Sequence, residues 1–205
     1  MISLRPPSSF GVAPGVHGLR TVLVNYFFVG TDARTRAWVL VDAGLCFSGP
    51  RLHRAATRRF GEHNPPRAII LTHGHFDHVG GLPWLLRRWR TPVYAHREEL
   101  PFLNDRRPYP PPDPFVGGMM ALSSILYPRR TTPLPQEVRP LPANGTVPEL
   151  PGWRWLPTPG HSPGHVSLWR APDRVLLAGD AVITTRQESA RAVLRQTLEI
   201  RPPPA

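Results

Sequence analysis

Thr72-His73-Gly74-His75-Phe76-Asp77-His78-Val79-Gly80-Gly81 decides the reading of this chain. Three imidazoles and a carboxylate crowd into positions 73–78, directly after the apolar run Ala68-Ile69-Ile70-Leu71. That run reads as a short buried strand. Gly80-Gly81 followed by Leu82-Pro83-Trp84-Leu85-Leu86 reads as a turn into a helix. The imidazoles therefore stand where a strand ends and the backbone folds tightly. Neutral imidazole and carboxylate are ligands for zinc and similar divalent ions. Gly74 leaves room for His73 and His75 to converge on one ion, and Asp77 and His78 can face a second ion beside it.

Outward from this stretch, the pattern is that of an α/β protein. Residues 21–29 and 37–42 are β-branched and aromatic strand candidates, with Gly30-Thr31-Asp32 expected as the turn between them. Asp42 closes its strand, either as a turn cap or as a brace behind a ligand. Residues 50–60 read as an amphipathic helix with Leu52, Ala55, Ala56 and Phe60 on one face. Residues 82–89 read as a helix and 92–96 as a returning strand. His53 and His63 are expected on solvated surface.

Residues 100–135 change character. Proline at the density of Pro108-Tyr109-Pro110-Pro111-Pro112 excludes regular strands and long helices, yet Phe102, Phe115, Met119, Met120, Leu122, Ile125 and Leu126 are too apolar for a free linker. The segment is either a lid over a pocket or a structural excursion, with a short helix expected near 119–126. Strand candidates at 138–141, 153–156, 166–169 and 174–180 then suggest a second sheet. Within them, Thr158-Pro159-Gly160-His161-Ser162-Pro163-Gly164-His165 offers two more imidazoles in a stiff turn. Asp180 ends a buried strand.

Composition narrows the function classes. At 205 residues, 40% hydrophobic, the chain is long enough for one domain with a substantial core. Nothing approaches the ~18 apolar residues of a membrane helix, and the first ten residues lack the apolar segment of a secretory signal, so a soluble cytoplasmic protein is expected. Cys46 is the lone cysteine, which excludes an intrachain disulfide and a thiolate cluster; it is expected to be a buried thiol. The formal charge of +11 comes entirely from arginine, without lysine. Those arginines are scattered without interleaved stacking aromatics, so a nucleic-acid partner is not expected.

The order His73-x-His75-x-Asp77-His78, then His161, then Asp180, with Val41-Asp42-Ala43-Gly44 upstream, resembles the metallo-β-lactamase-fold hydrolases. The resemblance runs from about residue 21 to the end of the chain. It implies a four-layer αββα sandwich with a metal site at one edge between the sheets. It also implies that His73, His75 and His161 hold a first ion, that Asp77 and His78 hold a second, and that Asp180 bridges both. Asp42 and His165 would support the ligands from behind, and Asp77 would also orient the attacking water. The ions would be two zincs, with iron or manganese as alternatives. In the family a further His serves the second ion after the bridging Asp. Here no His follows His165, so the sequence looks like a C-terminally shortened relative whose last helix and strand are missing. The implied reaction is metal-assisted hydrolysis of a carboxylic ester, thioester or lactone, acting on a small molecule. The rival expectations are a phosphodiester hydrolase and a metal-binding but inactive relative.

Overall fold

The computed structural model describes residues 9–21, 24–32, 37–111 and 124–182. Seven strands form one sheet in chain order: β1 (Ser9–Ala13), β2 (Val16–Thr21), β3 (Val24–Asp32), β4 (Ala37–Val41), β5 (Ala68–Ile70), β6 (Val93–Ala95) and β7 (Arg139–Pro140). The first four make an antiparallel meander; β4 through β7 run parallel. A second, antiparallel sheet holds β8 (Trp153–Pro157), β9 (Val166–Arg170) and β10 (Val175–Leu177), with β9 in the middle. Four helices are described: α1 (Ser48–Phe60), α2 (Phe76–Val79), α3 (Leu82–Leu86) and α4 (Leu100–Leu103).

The layering follows from side-chain alternation. Along β3 and β4, Tyr26, Phe28, Trp38 and Leu40 point to one face and pack with Leu52, Ala56, Leu82 and Leu85 of α1 and α3. Phe27, Val29, Val39 and Val41 point to the other and meet Val166, Leu168, Val175 and Leu177 of the second sheet. A strand covered on both faces reads as continuous apolar sequence, as 38–41 and 68–71 do.

Because β4, β5 and β6 are parallel, their C-terminal ends share one edge. Asp42, Thr72-His73 and His96 leave the sheet there. The second sheet reaches the same edge, since the Val166 N–H at the start of β9 donates to the Thr72 carbonyl at 2.9 Å. Open parallel sheets bind ligands outside such ends.

Close backbone contact holds this edge together. The Ala43 N–H donates to the His78 carbonyl at 2.7 Å and the Gly81 N–H to the Gly44 carbonyl at 3.2 Å. A Cβ on Gly81 would lie 2.3 Å from the Ala43 carbonyl oxygen. Gly81 has an ordinary φ of −77°, so the obstacle there is steric alone. Gly81→Ala is expected to destabilise by ~1–3 kcal/mol, the usual penalty of overpacking, seen as a melting point lower by several degrees. An unchanged melt would reject this packing.

Several expectations are corrected. Gly30 and Asp32 belong to β3, and the register shifts between them as β3 pairs with β4. An irregularity inside a strand draws on the same residue types as a turn. The strand expected over 21–29 is divided: Thr21 ends β2 and Val24 begins β3. The strands β1 and β2 were not foreseen. Cys46 is exposed, because the loop from β4 to α1 carries it past the core edge. His53 is half-buried, stacked on Trp89 at 5.4 Å and edge-on to Trp84 at 5.5 Å. Of the helix expected near 119–126, a 3-10 turn at Ser124–Leu126 is described and 119–123 lie outside the described residues. The expected loss of a final helix and strand concerns the end of the chain, where 183–205 lie outside the described residues. No helix among the described residues is long and apolar enough to cross a membrane.

Candidate metal centre

Three segments bring the sequence-predicted residues to the shared edge. The turn after β5 carries His73 and His75, and the single-turn α2 carries Asp77 and His78. The loop between β8 and β9 carries His161 and His165. A 3-10 turn at Gly179–Ala181, following β10, carries Asp180.

Two sets of ligand-type atoms converge. His73, His75 and His161 each offer one atom within 4.8 Å of the others, and so do His73, His78 and Asp180. His75 Nδ1 and His161 Nε2 are 2.9 Å apart. Asp180 faces both sets, with Oδ1 3.3 Å from His78 Nε2 and Oδ2 3.5 Å from His161 Nε2. Asp77 lies at the rim, Oδ2 4.0 Å from His78 Nε2, and belongs to neither set.

The ring orientations are fixed from behind. Asp42 is buried with φ 60°, a left-handed conformation that Asp tolerates better than most residues. Its Oδ1 accepts the Thr72 N–H at 2.8 Å. Its Oδ2 accepts the Thr72 hydroxyl at 2.8 Å and His78 Nδ1–H at 2.9 Å. A carboxylate only accepts, so His78 carries its proton on Nδ1 and aims Nε2 at the site. His165 works on the other ligand: its Nε2 accepts the Asp180 backbone N–H at 3.0 Å while Nδ1 meets the Thr158 hydroxyl at 2.8 Å. Gly179, with φ 55°, leaves the space, since a Cβ would approach His165 Nε2 to 2.7 Å.

The electrostatics favour ligand forms for most of the set. Burial, helped by the facing His78 ring, holds His73 well below the ordinary histidine value. Burial and the neighbouring His161 bring His75 down to about 3. Both rings are therefore neutral at pH 7. For His78, burial pulls downward, but Asp42 and Asp180 outweigh it and raise the group well above its ordinary value. Burial pulls Asp180 upward; His78 and His161 reverse this and keep it ionised. Burial raises Asp77, against the opposing pull of His78.

One observation tests whether a cation fits. His73 Nε2 and His78 Nε2 are buried and have no hydrogen-bond partner. Unpaired polar atoms in a protein interior are costly, yet these two point into the same small space beside an ionised carboxylate. Divalent cations held in this space would satisfy both. The nitrogen and oxygen donors suit zinc, iron or manganese and exclude a thiolate-type site.

Sequence reasoning missed Glu99, which is fully buried. It accepts from Gly74 N–H, Tyr109 Oη, Ser162 Oγ and Gly164 N–H. In the run His96-Arg97-Glu98-Glu99 it resembles ordinary helix-start acidity. The available signal was its place just past β6, on the edge where β4 and β5 deliver Asp42 and His73. Tyr109, from the proline-rich segment, was also missed. Its ring stands edge-on to His75 at 4.5 Å and stacks on Phe102 at 4.0 Å.

Comparison with known proteins agrees with this geometry. The sequence profile described as "Metallo-beta-lactamase superfamily" matches residues 19–203. A probable metallo-hydrolase of Bacillus subtilis, YflN, is 44% identical over 206 residues, covering 100% of this chain and 78% of its own length. A hydroxyacylglutathione hydrolase of Bdellovibrio bacteriovorus is 28% identical over 158 residues, covering 77% of this chain and 49% of its own. The chain spans about half the length of the further Bacillus subtilis metallo-hydrolases it matches. Among solved structures, TTHA1623 in a di-iron-bound form superposes with a TM-score of 0.56 at 27% identity, over 93% of this chain and 82% of that one.

Proposed function

The chain belongs to the metallo-beta-lactamase superfamily, and from that premise we propose that it is a metal-dependent hydrolase of a small carboxylic ester, thioester or lactone. The reading rests above all on the two buried, unpartnered imidazole nitrogens of His73 and His78 beside Asp180. His73, His75 and His161 would hold one ion. His78 would serve a second together with Asp77, which stands 4.0 Å from His78 Nε2 outside the converging atoms, and Asp180 faces both positions. Zinc is the first choice of metal for this donor set, with iron or manganese as alternatives. The relative named as a hydroxyacylglutathione hydrolase supports acyl transfer to water as the reaction class.

A divalent ion in such a site polarises a carbonyl and makes water acidic at neutral pH. The chain's own residues do the rest. Asp77 sits at the open rim, and its raised carboxyl accepts and passes on a proton. Asp42 and His165 keep His78 and Asp180 aimed. Tyr109 and Phe102 wall the His75 side, so the segment following α4 shapes the space in which a substrate would lie.

Elemental analysis with a substrate panel tests this. We expect about two ions per chain, as in other two-metal hydrolases, and turnover of one carboxylic substrate class. His75→Ala should abolish that turnover, whereas His53→Ala, on the α1–α3 seam, should retain it. A folded protein that binds no divalent ion sinks the proposal. One that cleaves an aryl phosphodiester and no carboxylic substrate moves the reaction to phosphoryl transfer.

A further inference from the structure

We propose that Glu99 is a positioning residue that sets the separation of the two ligand-bearing loops, and thereby the distance from His73 and His75 to His161. The proposal takes the metal-binding role of those histidines from the functional reading above.

The four contacts of Glu99 divide evenly. Oε2 accepts the Gly74 N–H at 2.9 Å and the Tyr109 hydroxyl. Oε1 accepts the Gly164 N–H at 2.7 Å and the Ser162 hydroxyl at 2.8 Å. Gly74 lies between His73 and His75. Gly164 lies between His161 and His165. One carboxylate therefore grips the backbone of both loops, one oxygen to each. All four partners are donors, and only an acceptor-only group matches four donors at once.

The surroundings fit a clamp. Each gripped residue is a glycine whose Cβ would collide: at Gly74 with Tyr109 Oη at 2.3 Å, and at Gly164 with Glu99 Cγ at 2.9 Å. Glu99 is itself held in a 3-10 turn, Arg97–Glu99, whose last N–H donates to the His96 carbonyl at 2.9 Å. Tyr109 extends the arrangement, bonding Oε2 while its ring edge meets His75. A carboxylate that merely filled a core would need none of these contacts to fall between ligands.

Glu99→Gln is the direct test. The side chain keeps its size, but its NH2 must replace one oxygen. The Tyr109 and Ser162 hydroxyls can rotate to accept from it; the Gly74 and Gly164 N–H groups cannot. Either orientation loses one of the two glycine N–H bonds and loosens the grip on that loop. We expect a folded protein whose zinc affinity falls about 10–100-fold, the usual effect of losing a partner that orients ligands. Its cobalt(II)-loaded form should also show an altered visible absorption spectrum. A folded Glu99→Gln with wild-type zinc affinity and an unchanged cobalt spectrum overturns the proposal.

If that variant does not fold, Tyr109→Phe and Ser162→Ala each remove one donor and leave the carboxylate in place. Each should weaken zinc binding severalfold, and unchanged affinity in both would be equally decisive against the clamp. Zinc affinity is read without substrate. A wild-type protein that binds zinc but hydrolyses nothing would thus defeat the hydrolase reading and leave this test intact.

Discussion

Asp180→Ala is expected to leave a folded chain with almost no hydrolytic activity. The carboxylate faces both ligand sets, with Oδ1 toward His78 and Oδ2 toward His161. Its removal strips charge and a ligand from the two positions together. The backbone N–H of residue 180 would still donate to His165, so the turn itself persists. If the lost ion position supplied ~4 kcal/mol of transition-state stabilisation, kcat/KM falls roughly a thousand-fold. Metal content should fall with it, by about one ion per chain. The check is kcat/KM and elemental analysis on the same preparation. Wild-type turnover in a folded Asp180→Ala would reject the site assignment.

Asp42→Ala should cost the most stability. It leaves the Thr72 N–H and His78 Nδ1–H buried without acceptors and strips a raised imidazole of its partner. Breaking a buried pair of this kind costs ~3–5 kcal/mol. For a chain of this size that corresponds to roughly 10 °C or more in melting temperature.

The pH dependence has a definite sign. In the metal-free wild type, His78 is raised above its unfolded value near 6.5. Its contribution is therefore complete below that pH and is lost as pH rises through the higher folded value. Asp42→Ala should lose most stability at the acid end of the range, and the gap to wild type should narrow as pH rises. Melts of the metal-free proteins between pH 6 and 9 measure this; a gap that stays constant would argue against the His78–Asp42 pair as its source. Activity should drop as well, by about 10–100-fold, because Asp42 orients a ligand.

The centre was legible because its ligands are local. His73, His75, Asp77 and His78 fall within one turn of chain, and the strand before them is apolar on both faces. Asp180 is also visible at the end of an apolar run, and His161 in the Gly/Pro turn that follows a strand. Glu99 was hidden because its function comes from its neighbours in space: nothing in Arg97-Glu98-Glu99 announces two glycine N–H groups from distant loops. The strands β1 and β2 were hidden for another reason. Gly11, Gly15, His17, Gly18 and Arg20 break the alternation, and pairing with β3 rather than local propensity makes these strands. Cys46 misled because a lone thiol is usually buried, while the loop that carries it lies with its backbone against Gly80, where an added Cβ would come 2.5 Å from the Cys46 nitrogen.

The shared edge also sets an order of events during synthesis. Asp42 emerges first, the imidazoles of the β5 turn next, then Glu99, and only much later His161 and Asp180. Such distant contacts form against a large loop-closure entropy and tend to form late. A chain still being translated at residue 160 already holds His73, His75 and His78, but no partner to complete either ligand set. At the proposed site, ion capture would therefore be a closing step of biogenesis, following the docking of the second sheet onto the first.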